Sequence, residues 1–343
     1  MRKIKAVLFN SVERHQAFKD QLDTNDIDCK VLDFKKQEWI DYDYSTIDIV
    51  IYYSYFNYSS NHPHALYEVY DNLMFIHERY PNVVMFPDPN IIKYYNDKYR
   101  QFLFLKSRNY PIPRTIPLVS PEAVEIADRE LGYPMIIKNR YGAGGGAVFR
   151  VYNKKELMKY YNISTLNLFN LDSVKYFSSM LSERIFYYWL IKAKKMIFPF
   201  LSPPLLAQKY VTIDRDLKTV VGDYKVVEAH WRFQANKEQW KVNIDGGGVG
   251  VWGKVHQEAI DLSEKLARDL NTRWLNIDML MNDDGFLITE FSPVWHHYAY
   301  KEKPSFVYKD DYNIDMPLEE SLNLEKIIVD SLVKAVLTRV SQG

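Results

Sequence analysis

Two groups of residues in this 343-residue chain have the types and spacing to handle phosphate. The first is Tyr133–Val151. There Met135-Ile136-Ile137 reads as a buried strand ending in Lys138, and a loop with Gly142, Gly144, Gly145 and Gly146 leads to a return strand, Ala147–Val151. Backbone freedom concentrated in this way costs order, and it is kept where the main chain must come close to something. Bare N–H groups in such a loop suit a polyphosphate, and Lys138 adds a positive charge at its base. No Gly-Lys-Ser/Thr closes the loop as in a Walker A motif, and strand–loop–strand is not the setting of a dinucleotide fingerprint. A phosphate-covering hairpin flap and a plain flexible hairpin tip both fit this segment.

The second group is Asn276-Ile277-Asp278-Met279-Leu280, with Glu290 following in Leu287-Ile288-Thr289-Glu290-Phe291-Ser292-Pro293. Asn282-Asp283-Asp284-Gly285 between them is a turn signal, so the two runs form a hairpin. The apolar neighbours of Asp278 and Glu290 face the other way, which lets both carboxylates enter one cleft. Adjacent carboxylates repel unless a cation or a proton separates them. Oxygen ligands sharing a cation with phosphate oxygens are the usual Mg²⁺ arrangement, neutralising triphosphate charge. Ordinary strand-end acids are the alternative. Between the two groups lies the apolar strand Leu205–Val211, carrying Gln208, Lys209 and Tyr210 and suited to an adenine edge. Asp216, Lys218, Arg232 and Asn243 follow it, the last ahead of Gly246-Gly247-Gly248.

These residues need a scaffold, and the hydrophobic pattern supplies one. Residues 1–90 alternate strands (Ile4–Phe9, Cys29–Phe34, Ile47–Tyr53, Val83–Phe86) with helices (Val12–Leu22, about Ala65–Tyr80), which predicts a doubly wound parallel sheet. Residues 91–132 read as a helix, Ile91–Asn109, then a proline-marked linker and a helix, Glu122–Leu131, closed by Gly132. Residues 133–211 hold the glycine hairpin and a helical insertion, with Ser173–Met196 as one long helix. In 212–343, Thr219–Val227 and Ala229–Phe233 read as strands, Val255–Leu270 as an amphipathic helix, and Leu324–Val340 as a terminal helix docked on the core. The fold class is mixed α/β (α+β).

Composition narrows the function. Lys+Arg and Asp+Glu both count 44, so no basic excess points to nucleic acid, although a local basic groove stays open. A single cysteine, Cys29, excludes an intrachain disulfide and a cysteine zinc cluster and fits a cytoplasmic location. The N-terminus reads as a first strand and not as a signal peptide. Lys192, Lys194 and Lys195 interrupt the apolar Phe186–Phe200 segment well short of the ~20 residues a span requires. It reads as a core or dimer-forming helix, leaving a homo-oligomer open. The adjacent His296-His297 cannot share one strand face, and His62 and His64 flank Pro63 in an extended segment read as loop.

Taken in order, Lys98, Lys138 with its glycine flap, the Gln208 strand, Asp216 and Lys218, Arg232, Asn243, Asp278 and Glu290 resemble the ATP-grasp superfamily, nearest the ribosomal-protein glutamate ligases and related carboxylate–amine ligases. The resemblance covers about residues 87–293, with residues 1–86 as the smaller α/β domain before the grasp. It implies ATP with Mg²⁺ or Mn²⁺ as cofactors. Lys98, Lys138 and Gly142–Gly146 would hold its phosphates, Gln208, Lys209, Tyr210 and Val211 its adenine, and Asp216 and Lys218 would complete the site. Arg232 and Lys138 would be catalytic, and Asp278, Glu290, Ser292 and Asn243 would hold metal. The family commonly has glutamate where Lys209 stands and asparagine where Ser292 stands. The implied reaction joins a small-molecule or peptide carboxylate to an amine through an acyl phosphate. An ATP-grasp kinase, a ligase making another bond, and a nucleotide-binding assembly protein without turnover are the rivals.

Overall fold

The computed structural model describes residues 2–10, 15–52, 65–95, 97–142, 147–167, 169–185, 201–213, 215–234, 240–242, 249–251, 255–293 and 323–342. The described strands form three sheets. In the first, β1 (Lys5–Phe9), β2 (Asp28–Leu32), β3 (Ile49–Ile51) and β4 (Val84–Phe86) run parallel in the order β2-β1-β3-β4. Helices His15–Thr24 and Ala65–Arg79 alternate with these strands, as the sequence pattern requires. β3 and β4 are buried along their whole length because elements cover both faces. One of those elements is the terminal helix Leu324–Gln342. Its Leu324, Ile328, Val329, Leu332 and Val336 join the same core as Phe18, Leu22 and Met85.

The second sheet is antiparallel, in the order β5-β8-β6-β7: β5 (Thr115–Leu118), β6 (Met135–Lys138), β7 (Val148–Val151) and β8 (Leu205–Lys209). β5 corrects the linker expected there. Pro117 has no N–H for a ladder, but it is tolerated because β5 is an edge strand paired with β8 alone. Helix Pro121–Leu131 packs beneath this sheet. Ser120 caps it by accepting from Ala123 N, and Gly132 at φ +69° ends it. The insertion helices Lys154–Ser164 and Leu171–Ile185 follow β7. The Phe186–Phe200 segment lies outside the described residues.

The third sheet carries β9 (Arg215–Gly222), β10 (Lys225–Phe233), β11 (Val249–Val251), β12 (Trp274–Asn282) and β13 (Gly285–Ser292) in the order β11-β10-β9-β12-β13. Helix Gln257–Asp269 covers its apolar face through Ala259, Ile260 and Leu266. The sequence reading broke the chain near Glu228, whereas the turn falls at Asp223-Tyr224. Both of these residues have positive φ (48° and 68°), as a tight hairpin turn between twisted strands demands. A register shift between Val226 and Glu228 then keeps β10 continuous. The expected helix Ile91–Asn109 is likewise two pieces, Pro89–Ile92 and Lys98–Ser107. Asp97 caps the second by accepting from Arg100 N at 3.0 Å.

Candidate functional site

One face of the third sheet packs on the helix Gln257–Asp269, and strand alternation sends polar side chains to the other. Register fixes their rows. Glu290, Asp278, Lys218 and His230 lie side by side on β13, β12, β9 and β10. Ser292, Asn276, Val220 and Glu228 form the next row, and Leu280, Asp216 and Arg232 the row on the other side. The hairpin expected from the turn signal forms, and a register shift between Asp278 and Met279 sets Asp278 directly opposite Glu290.

Each carboxylate has a cation. Lys218 Nζ lies 2.9 Å from Asp278 Oδ1 and also donates to Asn276 Oδ1 at 2.7 Å. Arg232 Nη2 lies 3.1 Å from Asp278 Oδ1, while its Nε and Nη2 donate to the two oxygens of Asp216 at 2.7 and 2.6 Å. This bidentate pairing fixes the guanidinium plane. Burial by itself would raise Asp278, but Arg232 and Lys218 outweigh it and hold the carboxyl at about 2. At Asp216 burial wins, pushing its carboxyl up against the pull of Arg232.

The second sheet supplies the opposing side. Lys138 ends β6, and loss of water pushes its ammonium down to about 8; Glu290 and Asp278 pull it back up, and Lys98 adds to the fall. Lys98 opens the helix Lys98–Ser107, is only 7% exposed, and reaches two ways. Its Nζ donates to the carbonyl of Gly142 and lies 3.5 Å from Glu290 Oε1. The base of the glycine loop is thereby tied to a carboxylate on the other sheet. Gly142 itself sits at φ +124°, a conformation that excludes ordinary side chains.

Further residues position these groups. Arg140 grips Asp97 with Nε at 3.1 Å and Nη2 at 2.7 Å, and Lys98 N donates to Arg140 O at 2.9 Å. The first turn of that helix is thus pinned to the end of β6. Gln101 on the same helix pairs with the edge of β13: its Nε2 donates to Phe291 O at 2.9 Å, and its Oε1 accepts from Phe291 N at 3.1 Å. Phe291 lies between Glu290 and Ser292, so this amide fixes both.

No protein-family model matches the chain, and no curated protein does either. Solved structures do. D-alanine–D-alanine ligase from Bacillus anthracis, complexed with ATP, superposes with a TM-score of 0.58 at 12% identity over 100% of both chains. The ATP-grasp ligase PsnB, complexed with minimal precursor, Mg and ADP, gives 0.55 at 14% identity over 97% of this chain and 98% of that one. D-cycloserine synthetase DcsG gives 0.56 at 13% identity, covering 97% and 99%. The chain has the ATP-grasp fold.

Lys98 and Lys138 bring the end of the second sheet beside Glu290 and Asp278 of the third, and most of the candidate site residues lie where the two meet. Lys98, Lys138, Gly142, Lys218, Asp216, Arg232, Asp278 and Glu290 converge. Gln208, Lys209, Tyr210 and Val211 lie at the far end of the second sheet. The first two are committed to it, because β8 is flanked on both sides. Gln208 stands opposite Thr115 and Ile136, its Nε2 donates to Thr115 Oγ1 at 2.9 Å, and Lys209 N donates to Arg114 O at 2.9 Å. The expectation that this strand offers its backbone to an adenine edge therefore applies only past Lys209, at Tyr210 and Val211. Gly144, Gly145, Gly146, Asn243, His62, His64, His296 and His297 lie outside the described residues.

The sequence reading did not anticipate Gln101, Asn276, Asp97 or Arg140. A glutamine on an amphipathic helix carries no local mark of such a bond. Asp97 does carry one, as an acid three residues before a backbone N–H at a helix start. No described helix is long and apolar enough to cross a membrane.

Proposed function

We propose that this chain is an ATP-dependent carboxylate–amine ligase. The observation that carries the reading is the opposition, across one cleft, of Asp278 and Glu290 on β12 and β13 to Lys98 and Lys138. Such a cleft suits a triphosphate whose charge is shared between lysines and a divalent cation. Among the described residues no cluster of three or more His, Cys, Asp or Glu could hold a metal ion. Two register-paired carboxylates are nonetheless the set that Mg²⁺ takes when phosphate oxygens complete its shell. Asp278 and Glu290 would hold it, with Ser292 Oγ as a neutral neighbour. When bound, the ion neutralises charge on the transferring phosphoryl group.

The protein residues do the rest by position. Lys98 and Lys138 bind and orient the phosphates, and the cationic form of Lys138, disfavoured by burial, is stabilised by an anion beside it. A substrate carboxylate oxygen attacks the γ-phosphorus, the bond to the β-phosphate oxygen breaks, and ADP leaves. The amine nitrogen then attacks the acyl carbon, phosphate leaves, and the amine loses a proton as the amide forms. Arg232, its plane fixed by Asp216, donates to the oxygens on which charge develops. Catalysis of this kind is positioning and charge neutralisation.

The test is nucleotide turnover with the twenty amino acids offered as carboxylate and as amine, following ADP and free phosphate together. Equal release of both, dependent on an amine, supports the ligase. ADP without phosphate, with a stable phosphorylated product, identifies a kinase. MgATP binding without turnover for any pair, unchanged by Glu290→Ala, leaves a nucleotide-binding module.

A further inference from the structure

Arg150 is a cation on the same face as Lys138 that the reaction above does not use. On β7 it stands opposite Ile136, which in turn stands opposite Gln208. Met135 and Ile137 point into the core of this unit, so Ile136 and Lys138 share the other face, and Arg150 shares it with them. It lies two residues from the Lys138 row, about 7 Å along the strands.

Its surroundings are aromatic. The guanidinium carbon lies 5.2 Å from the ring centre of Tyr152, 5.6 Å from Tyr210 and 5.3 Å from Trp240. Tyr152 follows β7, Tyr210 follows β8, and Trp240 comes from the segment after β10 in the facing sheet. Among the described residues no carboxylate pairs with Arg150, and its buried Nε has no hydrogen-bond partner. This contrasts with Arg232 and Arg140, whose guanidinium planes are fixed by aspartates. A second cation, Lys241 Nζ, lies 5.1 Å from the Trp240 ring centre, so this end of the cleft is basic as well as aromatic.

We propose that Arg150, held among Tyr152, Tyr210 and Trp240, is the platform on which the nucleotide base stacks, and that bases are recognised here by stacking more than by their edges. The proposal rests on the nucleotide-binding reading. A planar cation among rings offers a flat, electron-poor surface to any purine, and stacking of this kind tolerates changes of base. Edge contacts are left to the backbone of Tyr210 and Val211, since Gln208 and Lys209 N are already bonded within the sheet. The site therefore accepts adenine and guanine nucleotides with similar affinity.

Calorimetry on the full chain tests this with MgADP, MgGDP and magnesium tripolyphosphate, comparing wild type with Arg150→Ala and Arg150→Lys. The expected result is that wild type binds ADP and GDP within a few-fold of each other. Both variants should then weaken both nucleotides by roughly tenfold or more, leaving tripolyphosphate unchanged. Arg150→Lys keeps the charge without the plane, and its melting curve serves to separate loss of stacking from loss of fold. Unchanged ADP affinity in a folded variant overturns the proposal. So does an equal loss for tripolyphosphate, which would make Arg150 a phosphate ligand, or a wild type that binds ADP far more tightly than GDP. A wild type that binds none of the three overturns the nucleotide reading itself.

Discussion

The two hairpins that face each other across the cleft treat charge in opposite ways. On β12–β13, Asp278 is surrounded by Lys218 and Arg232 and stays ionised down to about pH 2. On β6–β7, Lys138 is held against burial and loses its proton near pH 8. One hairpin is electrostatically satisfied by its own chain, whereas the other is left wanting an anion. A site meant only to be stable would satisfy both. Burial against only partial counter-charge leaves Lys138 the group that gains most from an anion brought beside it.

The sharpest way to break this comparison is to neutralise the satisfied side. Asp278→Asn and Glu290→Gln should each lower ligase turnover at least ~10-fold, about 1.4 kcal/mol of transition-state stabilisation. Steady-state ADP and phosphate release measure it, and near-normal rates in both variants would show that the carboxylate hairpin is not the reacting centre.

Changing the unsatisfied side should separate binding from stability. Lys138→Met is expected to weaken MgATP roughly tenfold by calorimetry while raising the melting temperature of the ligand-free protein. The sign follows from proton counting. The unfolded chain holds this proton up to its ordinary 10.5, and the folded chain only to about 8. Between those values the unfolded state binds more protons, so wild-type stability climbs as pH rises from about 8 towards 10.5. That climb should vanish in Lys138→Met, and a flat wild-type profile over the same window would remove the claim that burial opposes its charge.

A smaller effect is expected from Asp216→Asn, which leaves Arg232 without its bidentate partner but keeps Asp278. Turnover should fall roughly three- to tenfold, with the MgATP dissociation constant little changed, because the fixed guanidinium plane matters most where charge develops. A large loss of nucleotide affinity would instead place Asp216 in the binding site. The mildest is Gln101→Leu. It removes two hydrogen bonds to Phe291 and should cost about 1–2 kcal/mol in urea unfolding, with only a few-fold loss of turnover through looser placement of Glu290.

How much of this could be read beforehand depended on how local the signal was. The β12–β13 hairpin was legible from its Asn-Asp-Asp-Gly turn, but the opposition of Asp278 to Glu290 also needs the register shift beside Asp278, which no local pattern marks. The parallel first sheet was legible from its alternation of apolar strands with helices. β5 was hidden because Pro117 argues against a strand, and only its edge position makes it tolerable. The Asp223-Tyr224 turn was hidden because neither residue is glycine. The pairing of Asp216 with Arg232 needed the register of β9 on β10, which no single segment specifies. Gln101 reaches Phe291 across 190 positions of sequence, and nothing around it announces the partner.

The terminal helix Leu324–Gln342 has a consequence for how the molecule is made. It closes the core of the first sheet, and Ile327 also lies close to Gly222 of the third, where an added Cβ would meet Ile327 Cγ2 at 3.0 Å. As the chain leaves the ribosome, β1 to β4 emerge first, but the apolar surface that this helix covers has no partner until both later sheets have been synthesised. The first unit is therefore made before the two later sheets but sealed after them, and during that interval its exposed apolar face is a surface a chaperone would cover.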